Sequence, residues 1–325
     1  MKNYSIRTYT PDDFDLWNDF IAKAKNATFL FHRSFMEYHK DRFEDFSLLV
    51  FEDKKLVAVL PANKVREELH SHQGLSYGGI VINNEIRIED YLKIAENIFA
   101  FLKENNINYL YIKSLPYIYH KTLSEEFDFL TAVVQAENYR TDSYFVLDNR
   151  LKYNPNRNRK RALRVAESNG ITIKEDEDFE VFWNDILSVN LNQRFGVNPV
   201  HSVEEIRYLK KHFPENIRLY IAYQNEIPKA GAVLFISDNV VHFQYSSGTE
   251  DREETGALDA LFDYIIRLYP KAEYISFGSS SENHGQNINF GLAYWKESFG
   301  AKCTIQKFLR INVSDISKIS NMISL

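Results

Sequence analysis

The sequence predicts a mixed α/β protein built from two similar domains in tandem. Its 325 residues, 44% apolar and 14% aromatic, are too many for one ordinary core and suit two domains of about 150 residues each. The pattern H-x-x-x-S-x-G occurs at residues 72–78 and again at residues 242–248. Each copy follows a pair of apolar runs and precedes a helical stretch, which indicates an internal repeat.

The first half begins with an alternating strand and two helical stretches, followed by a hairpin and a strand–helix–strand sequence. The predicted strands are 4–9, 46–51, 56–62, 70–82 and 107–112, and the predicted helices are 13–25, 34–42 and 91–103.

The second half repeats this order. Its predicted strands are 171–174, 217–223, 227–236, 240–246 and 273–277, and its predicted helices are 179–195, 203–213 and 256–268. Phe46 and Leu56 align with Ile217 and Ile227 at one constant offset. We therefore expect an N-terminal domain at 1–150 and a C-terminal domain at 151–325.

Composition excludes several classes of protein. The single cysteine, Cys303, cannot form an intrachain disulfide or a zinc site by itself, and we expect it to be a small buried side chain. No apolar run approaches the ~20 residues of a membrane span, and the first residues lack the apolar segment of a signal peptide. The expectation is a cytoplasmic protein without a metal. The net charge of −6 argues against a surface that coats nucleic acid, so any phosphate binding is local.

Three stretches carry a resemblance to a known family: the basic 156–162, the apolar 230–235, and GLAYWKESFG at 291–300. With the order of elements, they resemble the GNAT acyltransferase fold, duplicated as in the FemAB family of aminoacyl and acyl transferases. The resemblance implies a bacterial enzyme that transfers an acyl or aminoacyl group to an amine of a peptidoglycan or surface-polysaccharide precursor. It implies acyl-CoA or aminoacyl-tRNA as the donor. A lipid-linked acceptor would place the protein beside a membrane.

The resemblance also implies where the donor lies: between the fourth and fifth strands, with its pyrophosphate at the next helix N-terminus, where free amides favour an anion. The residues expected there are Ser246, Ser247, Arg252, Gly256 and Ala257. The carboxylates of Glu250, Asp251, Glu253 and Glu254 would oppose this unless they point outward. The alternative is an ordinary helix with Thr255 as its N-cap. The equivalent loop of the first half, 83–89, has no glycine, so coenzyme A is not expected there.

A basic stripe runs along the helix that begins the second half. Its cations recur at i, i+3, i+4 and i+7, which places them on one face; they are Arg157, Lys160, Arg161 and Arg164. On an acidic chain such a stripe predicts a phosphate-containing ligand: a nucleotide-linked precursor, a coenzyme A tail or a tRNA acceptor stem. The alternative is a solvated face paired with Glu175, Asp176 and Glu177.

Three residues are candidates for catalysis. His242 suits a general base, since an ordinary imidazole pKa is ~6.5; a buried structural histidine is the alternative. Glu282 suits the same role if burial raises its pKa. Lys296 matches the lysine in the F-K-x-x-F-G pattern of the FemAB-like proteins, with Trp295 in place of the first phenylalanine. The match implies contact with donor phosphate or the developing oxyanion, and an exposed helix lysine is the alternative.

The remaining candidates concern the acceptor. Asn287 belongs to a polar loop after a strand, where open α/β sheets bind ligands. Arg194 ends a helix and is a candidate ligand for a carboxylate or phosphate, or a cation favoured by the helix dipole. His72 and Tyr77 are the candidates from the first half. A second hypothesis is a non-catalytic GNAT-like protein that binds a phosphorylated glycan or nucleotide. Motifs for nucleotide hydrolysis, zinc chemistry and serine hydrolysis are absent from the sequence.

Overall fold

A computed structural model describes residues 2–323, without the side chains of residues 194 and 195. The chain divides into two compact units: unit 1 holds residues up to 142 and from 305 onward, and unit 2 holds residues 143–304. This differs from the expected division at residue 150, which assigned the last stretch to the second domain. The stretch joins unit 1 because Phe308–Asn312 pairs antiparallel with Tyr109–Lys113.

The helices follow the predicted periodicity closely in unit 2 and less closely in unit 1. In chain order they are α1 (Phe14–Lys23), α2 (Arg33–Met36), α3 (Ile88–Glu104), α4 (Glu126–Val133), α5 (Arg157–Ser168), α6 (Ser188–Phe195), α7 (Val203–His212), α8 (Arg252–Thr255), α9 (Ala257–Leu268), α10 (Phe290–Ser298) and α11 (Ile316–Ile323). A π-helical turn, Val181–Leu187, precedes α6 within the single helix predicted over 179–195.

The strands include the predicted ones with shifted ends, except the strand predicted over 70–82, and some that were not predicted. In chain order they are β1 (Tyr4–Thr8), β2 (Glu44–Asp45), β3 (Leu48–Glu52), β4 (Lys55–Leu60), β5 (Asn63–Val65), β6 (Glu68–Ser71), β7 (Val81–Ile82), β8 (Tyr109–Lys113), β9 (Glu137–Asp148), β10 (Thr172–Asp176), β11 (Ile217–Gln224), β12 (Ile227–Ile236), β13 (Val240–Gly248), β14 (Tyr274–Ser279), β15 (Ser281–Glu282), β16 (Asn287–Ile288) and β17 (Lys302–Asn312).

Unit 1 contains a four-stranded antiparallel sheet in the order β1-β3-β4-β7. Its other strands follow the order β17-β8-β6-β5-β2, in which β6 and β8 are parallel. The continuous strand predicted over 70–82 is wrong, because β6 ends at Ser71 and β7 begins at Val81. The chain folds back between them, and the Ser71 hydroxyl accepts a 2.6 Å hydrogen bond from the Gly79 amide.

Unit 2 is a mixed sheet in the order β10-β11-β12-β13-β14-β9. The pair β13 and β14 is parallel, and the other neighbours are antiparallel. Strand β9 begins in unit 1, and its residues 144–148 pair with β14 in unit 2. Helix α9 connects β13 to β14, which is the crossover that the repeat predicts.

Each unit has its own hydrophobic core, as the length of the chain predicts. In unit 1, α3 packs Ile98 and Phe99 with Leu110 and Ile112 of β8. In unit 2, a ring cluster joins α9, β14 and the end of α10; it comprises Phe243, Phe262, Phe277 and Phe299. The stacked Phe243 and Phe262 rings, 3.8 Å apart between centroids, hold α9 against the sheet beside the place where β13 and β14 separate.

Candidate active site

Strands β13 and β14 of unit 2 run together for three residue pairs and then separate. The last pair is His242 with Ser276, after which β13 continues to Gly248 paired only with β12. A bulge at Gln244, where the register with β12 shifts, bends β13 at this point. The separation produces a gap between parallel strands, in the position where the GNAT resemblance puts the acyl donor.

His242 lies at the start of this gap. Its Nδ1 is 3.0 Å from the Ser276 hydroxyl oxygen, and a Cβ built on Gly278 would lie 3.5 Å from its Cε1. Gly278 has φ +72°, a conformation that disfavours other residues. Burial lowers the pKa of His242 to about 4, and the charge of Lys296 contributes to the shift. The imidazole is therefore neutral at pH 7.

Lys296 reaches the same place from α10. Its side chain is 3% exposed, and its Nζ donates hydrogen bonds to the carbonyl oxygens of Gly278 at 3.0 Å and Ser279 at 2.6 Å. Burial lowers its pKa to about 7. An exposed helix lysine, the alternative that the sequence left open, is wrong. The amine is held at the end of β14 and exists in both protonation states near neutral pH.

Helix α10 is anchored in a way that explains this placement. Asn289 caps its N-terminus, where its side chain accepts from the Leu292 amide at 2.9 Å. Trp295 packs edge-on against Phe262, with ring centroids 4.7 Å apart, and its Nε1 donates to Asp259 of α9 at 2.7 Å. Lys296 follows Trp295 and consequently points into the protein.

Two residues near this lysine were not found from the sequence. Ser276 fixes one imidazole nitrogen of His242. Ser280 is 2% exposed, and its hydroxyl has no hydrogen-bond partner among the described residues. A buried hydroxyl without a partner is costly, and a bound substrate could satisfy it. The run FGSSS after a strand is the only signal in the sequence, and it does not distinguish one serine from another.

Glu282 does not have the environment that its predicted role requires. It is exposed, and its carboxylate accepts from the Asn289 side chain at 2.9 Å. The expected role as a base depended on burial of Glu282. Glu282 is not buried, because the short β15–β16 hairpin carries it into solvent. Asn287, in the same hairpin, is also exposed.

The predicted donor loop is largely occupied by contacts within the protein. Asn190 donates to the Ser247 hydroxyl at 2.9 Å and to the Gly248 carbonyl at 3.0 Å, whereas Ser246 is exposed. Arg252 donates to the Thr249 carbonyl at 3.3 Å. Of the four carboxylates, Asp251 is paired with Lys229 at 2.6 Å, and the others point into solvent; they are Glu250, Glu253 and Glu254.

Gly256 and Ala257 are buried against α5. A Cβ on Gly256 would lie 2.7 Å from the Ala162 carbonyl oxygen, and its φ is +70°, so two features require glycine there. Asp259 lies in the first turn of α9, where its negative charge already interacts favourably with the helix dipole. Gly256, which the resemblance places at the donor pyrophosphate, therefore packs against α5.

The basic stripe is exposed, and none of its cations pairs with a carboxylate in the described part of the chain. Lys160 donates to the Asn154 side chain at 2.8 Å, and Arg164 donates to the Lys160 carbonyl at 3.2 Å. The acids named as alternative partners of the stripe are engaged elsewhere or lie apart from it: Glu175 binds Arg218, and Asp176 binds Tyr223. The alternative of a solvated face paired with these acids is therefore wrong as to the pairing, although the face is exposed.

The arginine that does form an ion pair on α5 is Arg159, which the stripe did not include. It binds Asp259, and both side chains are largely buried. Arg194 lies in the last turn of α6, and its side chain is outside the described part of the structure.

The two site candidates in unit 1, His72 and Tyr77, are buried among other side chains. His72 is 4% exposed, its Nδ1 accepts from the Gly74 amide at 3.1 Å, and its ring stacks on His39 at 5.6 Å. Burial, with a smaller contribution from His39, lowers its pKa to about 3. The Tyr77 hydroxyl is 2.9 Å from that of Thr28 inside the core. His72 follows β6 and lies outside any strand, so it is not the positional equivalent of His242.

Unit 1 has no open gap beside its parallel strands. Beyond β6, Gly78 forms a parallel bridge with Ser114. Lys113 Nζ donates to the carbonyls of Gln73 and Leu75, both at 2.9 Å. The loop of unit 1 that contains Gln73, Leu75 and Gly78 therefore fills the position that is open in unit 2.

The described residues contain neither a helix suited to span a membrane nor a cluster of metal ligands. In residues 2–323 no helix is both long and apolar enough to cross a bilayer. The described side chains form no group of three or more His, Cys, Asp or Glu that could hold a metal ion. Cys303 is exposed, so the expectation that it is buried is wrong; it lies at the start of β17, where Lys302 and Ile305 are exposed as well.

No described protein family and no curated protein matches the sequence. Solved structures do match the fold. FemX superposes with a TM-score of 0.64 at 11% identity, over 93% of this chain and 96% of that one. The chain has the tandem GNAT-like fold of the FemAB-like proteins. L-PGS from Bacillus licheniformis matches this FemAB-like fold with a TM-score of 0.59 at 12% identity, covering 97% and 96%. The C-terminal domain of a putative lysylphosphatidylglycerol synthetase from Agrobacterium fabrum matches with a TM-score of 0.54 at 14% identity, covering 82% and 84%.

Proposed function

We propose that the chain transfers an acyl or aminoacyl group to an amine of a cell-envelope precursor, with the reaction in unit 2 where β13 and β14 separate. The observation that carries the proposal is the buried amine of Lys296, bound to the carbonyls of Gly278 and Ser279. A buried lysine is costly to keep in a fold that does not use it, and perturbed ionisable groups concentrate at functional sites.

The proposed reaction is direct attack. The acceptor amine forms a C–N bond with the donor carbonyl carbon, and the C–S bond of a thioester or the C–O bond of an ester breaks. The ammonium form of Lys296 stabilises the negative charge that develops on the carbonyl oxygen. His242, neutral at pH 7 because its pKa is about 4, passes the proton lost by the acceptor nitrogen to the departing sulfur or oxygen.

For the donor, the contacts of α9 favour aminoacyl-tRNA over acyl-CoA. The resemblance puts the pyrophosphate at the N-terminus of α9. There, α5 packs over Gly256, and the first turn of α9 already contains the carboxylate of Asp259. A tRNA ester needs no pyrophosphate there. One matching structure supports an aminoacyl group: the Agrobacterium protein is named as a putative lysylphosphatidylglycerol synthetase. A cytoplasmic setting is part of the proposal.

A thermal-shift panel on the full chain identifies the donor. The ligands are aminoacylated tRNA, uncharged tRNA, acetyl-CoA, free coenzyme A and UDP-sugars. We expect aminoacylated tRNA to raise the unfolding temperature more than uncharged tRNA does. Stabilisation by coenzyme A would instead assign the donor site to acyl-CoA.

A pair of variants then tests the site. Lys296→Met should lower the transfer rate about a hundredfold or more, the usual cost of losing one oxyanion-stabilising group, and should keep the donor-induced thermal shift. Lys302→Met, an exposed lysine of β17, should leave the rate unchanged. Equal rates in both variants would remove Lys296 from the mechanism. A glycan or nucleotide that stabilises the chain without any transfer would favour the non-catalytic binding protein.

A further inference from the structure

We propose that one face of unit 2 docks on an anionic membrane surface. We call it the α5–α10 face, and it comprises the basic stripe of α5, namely Arg157, Lys160, Arg161 and Arg164, and the exposed apolar residues Ile288, Phe290 and Tyr294. The inference goes beyond the proposed function and does not depend on it.

The cations of this face differ from most other described arginines of unit 2, although Arg252 also donates to a carbonyl, that of Thr249, and not to a carboxylate. Arg150, Arg207, Arg218 and Arg267 each contact a carboxylate. None of the four stripe cations contacts one among the described residues, and all four are exposed. Like charges at i and i+4 on a helix destabilise it. A stripe left uncompensated on a chain with net charge −6 therefore indicates that the compensating anion comes from a partner.

One side of α10 and the strand β16 before it expose apolar side chains. The exposed fractions are 77% for Phe290, 54% for Tyr294 and 41% for Ile288, and Phe290 and Tyr294 are about 40° apart around the helix. The inward face of α10 is supplied by other residues, Ala293 and Lys296. Clustered exposed apolar residues mark interaction sites, whereas isolated ones are ordinary.

Two hydrogen bonds join α5 to α10 and place Tyr294 beside the stripe. The Asn158 side chain donates to the Tyr294 hydroxyl at 3.0 Å, and the Asn156 amide donates to the Ser298 carbonyl at 2.9 Å. On α5, Asn158 is 60° around the helix from Arg161. The aromatic end of α10 is therefore adjacent to the basic stripe.

The chemistry of this face fits a lipid surface better than a nucleic acid. Lysine and arginine at a membrane interface bind anionic headgroups, and nearby aromatic and aliphatic side chains enter the boundary with the acyl chains. A nucleic acid would use the cations, and it could stack bases on Phe290 and Tyr294. A nucleic acid offers no favourable partner for the aliphatic Ile288, because protein–nucleic acid interfaces are polar.

Co-sedimentation of the full chain with vesicles tests the proposal. One set contains phosphatidylcholine alone, and the other contains equal parts phosphatidylcholine and phosphatidylglycerol. We expect binding to the anionic set only. Arg157→Gln with Arg161→Gln should weaken it about 25-fold, about fivefold for each arginine, and Phe290→Ser should weaken it about tenfold.

The controls match each change elsewhere. Lys54→Gln with Arg87→Gln alters net charge equally on exposed cations of unit 1, and Leu123→Ser removes an apolar side chain that is 95% exposed. Both should bind like the wild type. Equal loss in variants and controls would reduce the effect to net charge and overturn the proposal.

The other occupants of the face are separate outcomes. If the wild type ignores both vesicle sets but binds tRNA, and the double arginine variant loses that binding, the face is an RNA site and the proposal is wrong. If the wild type is a dimer that Phe290→Ser makes monomeric, without vesicle binding, a second copy covers the face. Vesicle binding in the Lys296→Met variant separates docking from transfer, since that variant should still bind.

Discussion

The side-chain nitrogen of Lys296 donates a 2.6 Å hydrogen bond to the carbonyl oxygen of Ser279. This contact holds an ionisable amine that is 3% exposed at the end of β14. Its consequences for stability and for the neighbouring histidine can be measured without any substrate.

The free energy of unfolding should depend on pH through Lys296. Its pKa is about 7 in the folded chain and 10.5 in an exposed lysine. Between these values the unfolded chain binds the proton more tightly, so the wild type loses stability as the pH falls from about 10 to about 7. Lys296→Met lacks this loss. Its stability relative to the wild type should rise over that range and level off below it.

Urea unfolding at a series of pH values measures this difference. Lys302→Met, which removes an exposed lysine, should follow the wild type at every pH. Parallel curves for Lys296→Met and the wild type would show that Lys296 titrates normally.

The pKa of His242 should respond to Lys296. Burial lowers that pKa to about 4, and the lysine charge lowers it further than burial alone. In Lys296→Met the cation is gone, so the imidazole should protonate at a higher pH. Titration of the His242 ring signals by NMR measures the shift, with Lys302→Met as the control. A downward shift, or none, would mean that the two groups do not interact.

The close approach of α5 to Gly256 predicts a large cost for a methyl group. Gly256→Ala adds a Cβ 2.7 Å from the Ala162 carbonyl at φ +70°, whereas Gly170→Ala at φ +65° meets nothing within 4 Å. The second variant pays only for the left-handed conformation, about 1 kcal/mol. The first should lose roughly 2–4 kcal/mol, because it adds overpacking. Similar losses in urea unfolding would refute the packing role of Gly256.

Removing one partner of the ion pair between Arg159 and Asp259 should cost far more than removing one partner of a surface pair. Asp259 also accepts from Trp295 at 2.7 Å, and Arg159 Nε has no partner among the described residues. Asp259→Ala leaves the arginine buried and uncompensated, at a cost of about 3–5 kcal/mol.

Glu180→Ala is the comparison, since Glu180 pairs with Arg207 in an exposed position. It should cost less than about 1 kcal/mol. Comparable losses for the two carboxylates would contradict the difference in burial.

Much of the fold could be predicted because its signal is local. The hairpin of β11 and β12 and the helices α7 and α9 fall within a few residues of their predicted bounds, since alternation and helical periodicity are properties of neighbouring residues. The strand predicted over 70–82 was wrong because apolar spacing does not reveal that Gly78 turns back onto Ser71. The bulge at Gln244 also leaves no mark in a single sequence.

The candidate site was predicted only in part. Lys296 was found through its resemblance to a family pattern, and His242 through the repeat. The sequence left open whether Glu282 and Lys296 are buried. The packing of Trp295 against Phe262 in the folded chain turns the lysine inward. Ser276, Gly278 and Ser280 gave no usable signal.

By itself, the sequence determined the alternation of helices and strands, the two cores and the basic stripe of α5, because each depends on the order of residues along a short length of chain. The tertiary structure alone decided which strand ends meet, that β17 returns to unit 1, and that Lys296 is buried while Glu282 is not. The physical reason is that burial and hydrogen-bond partners arise between residues far apart in the chain, and those distances are set by packing.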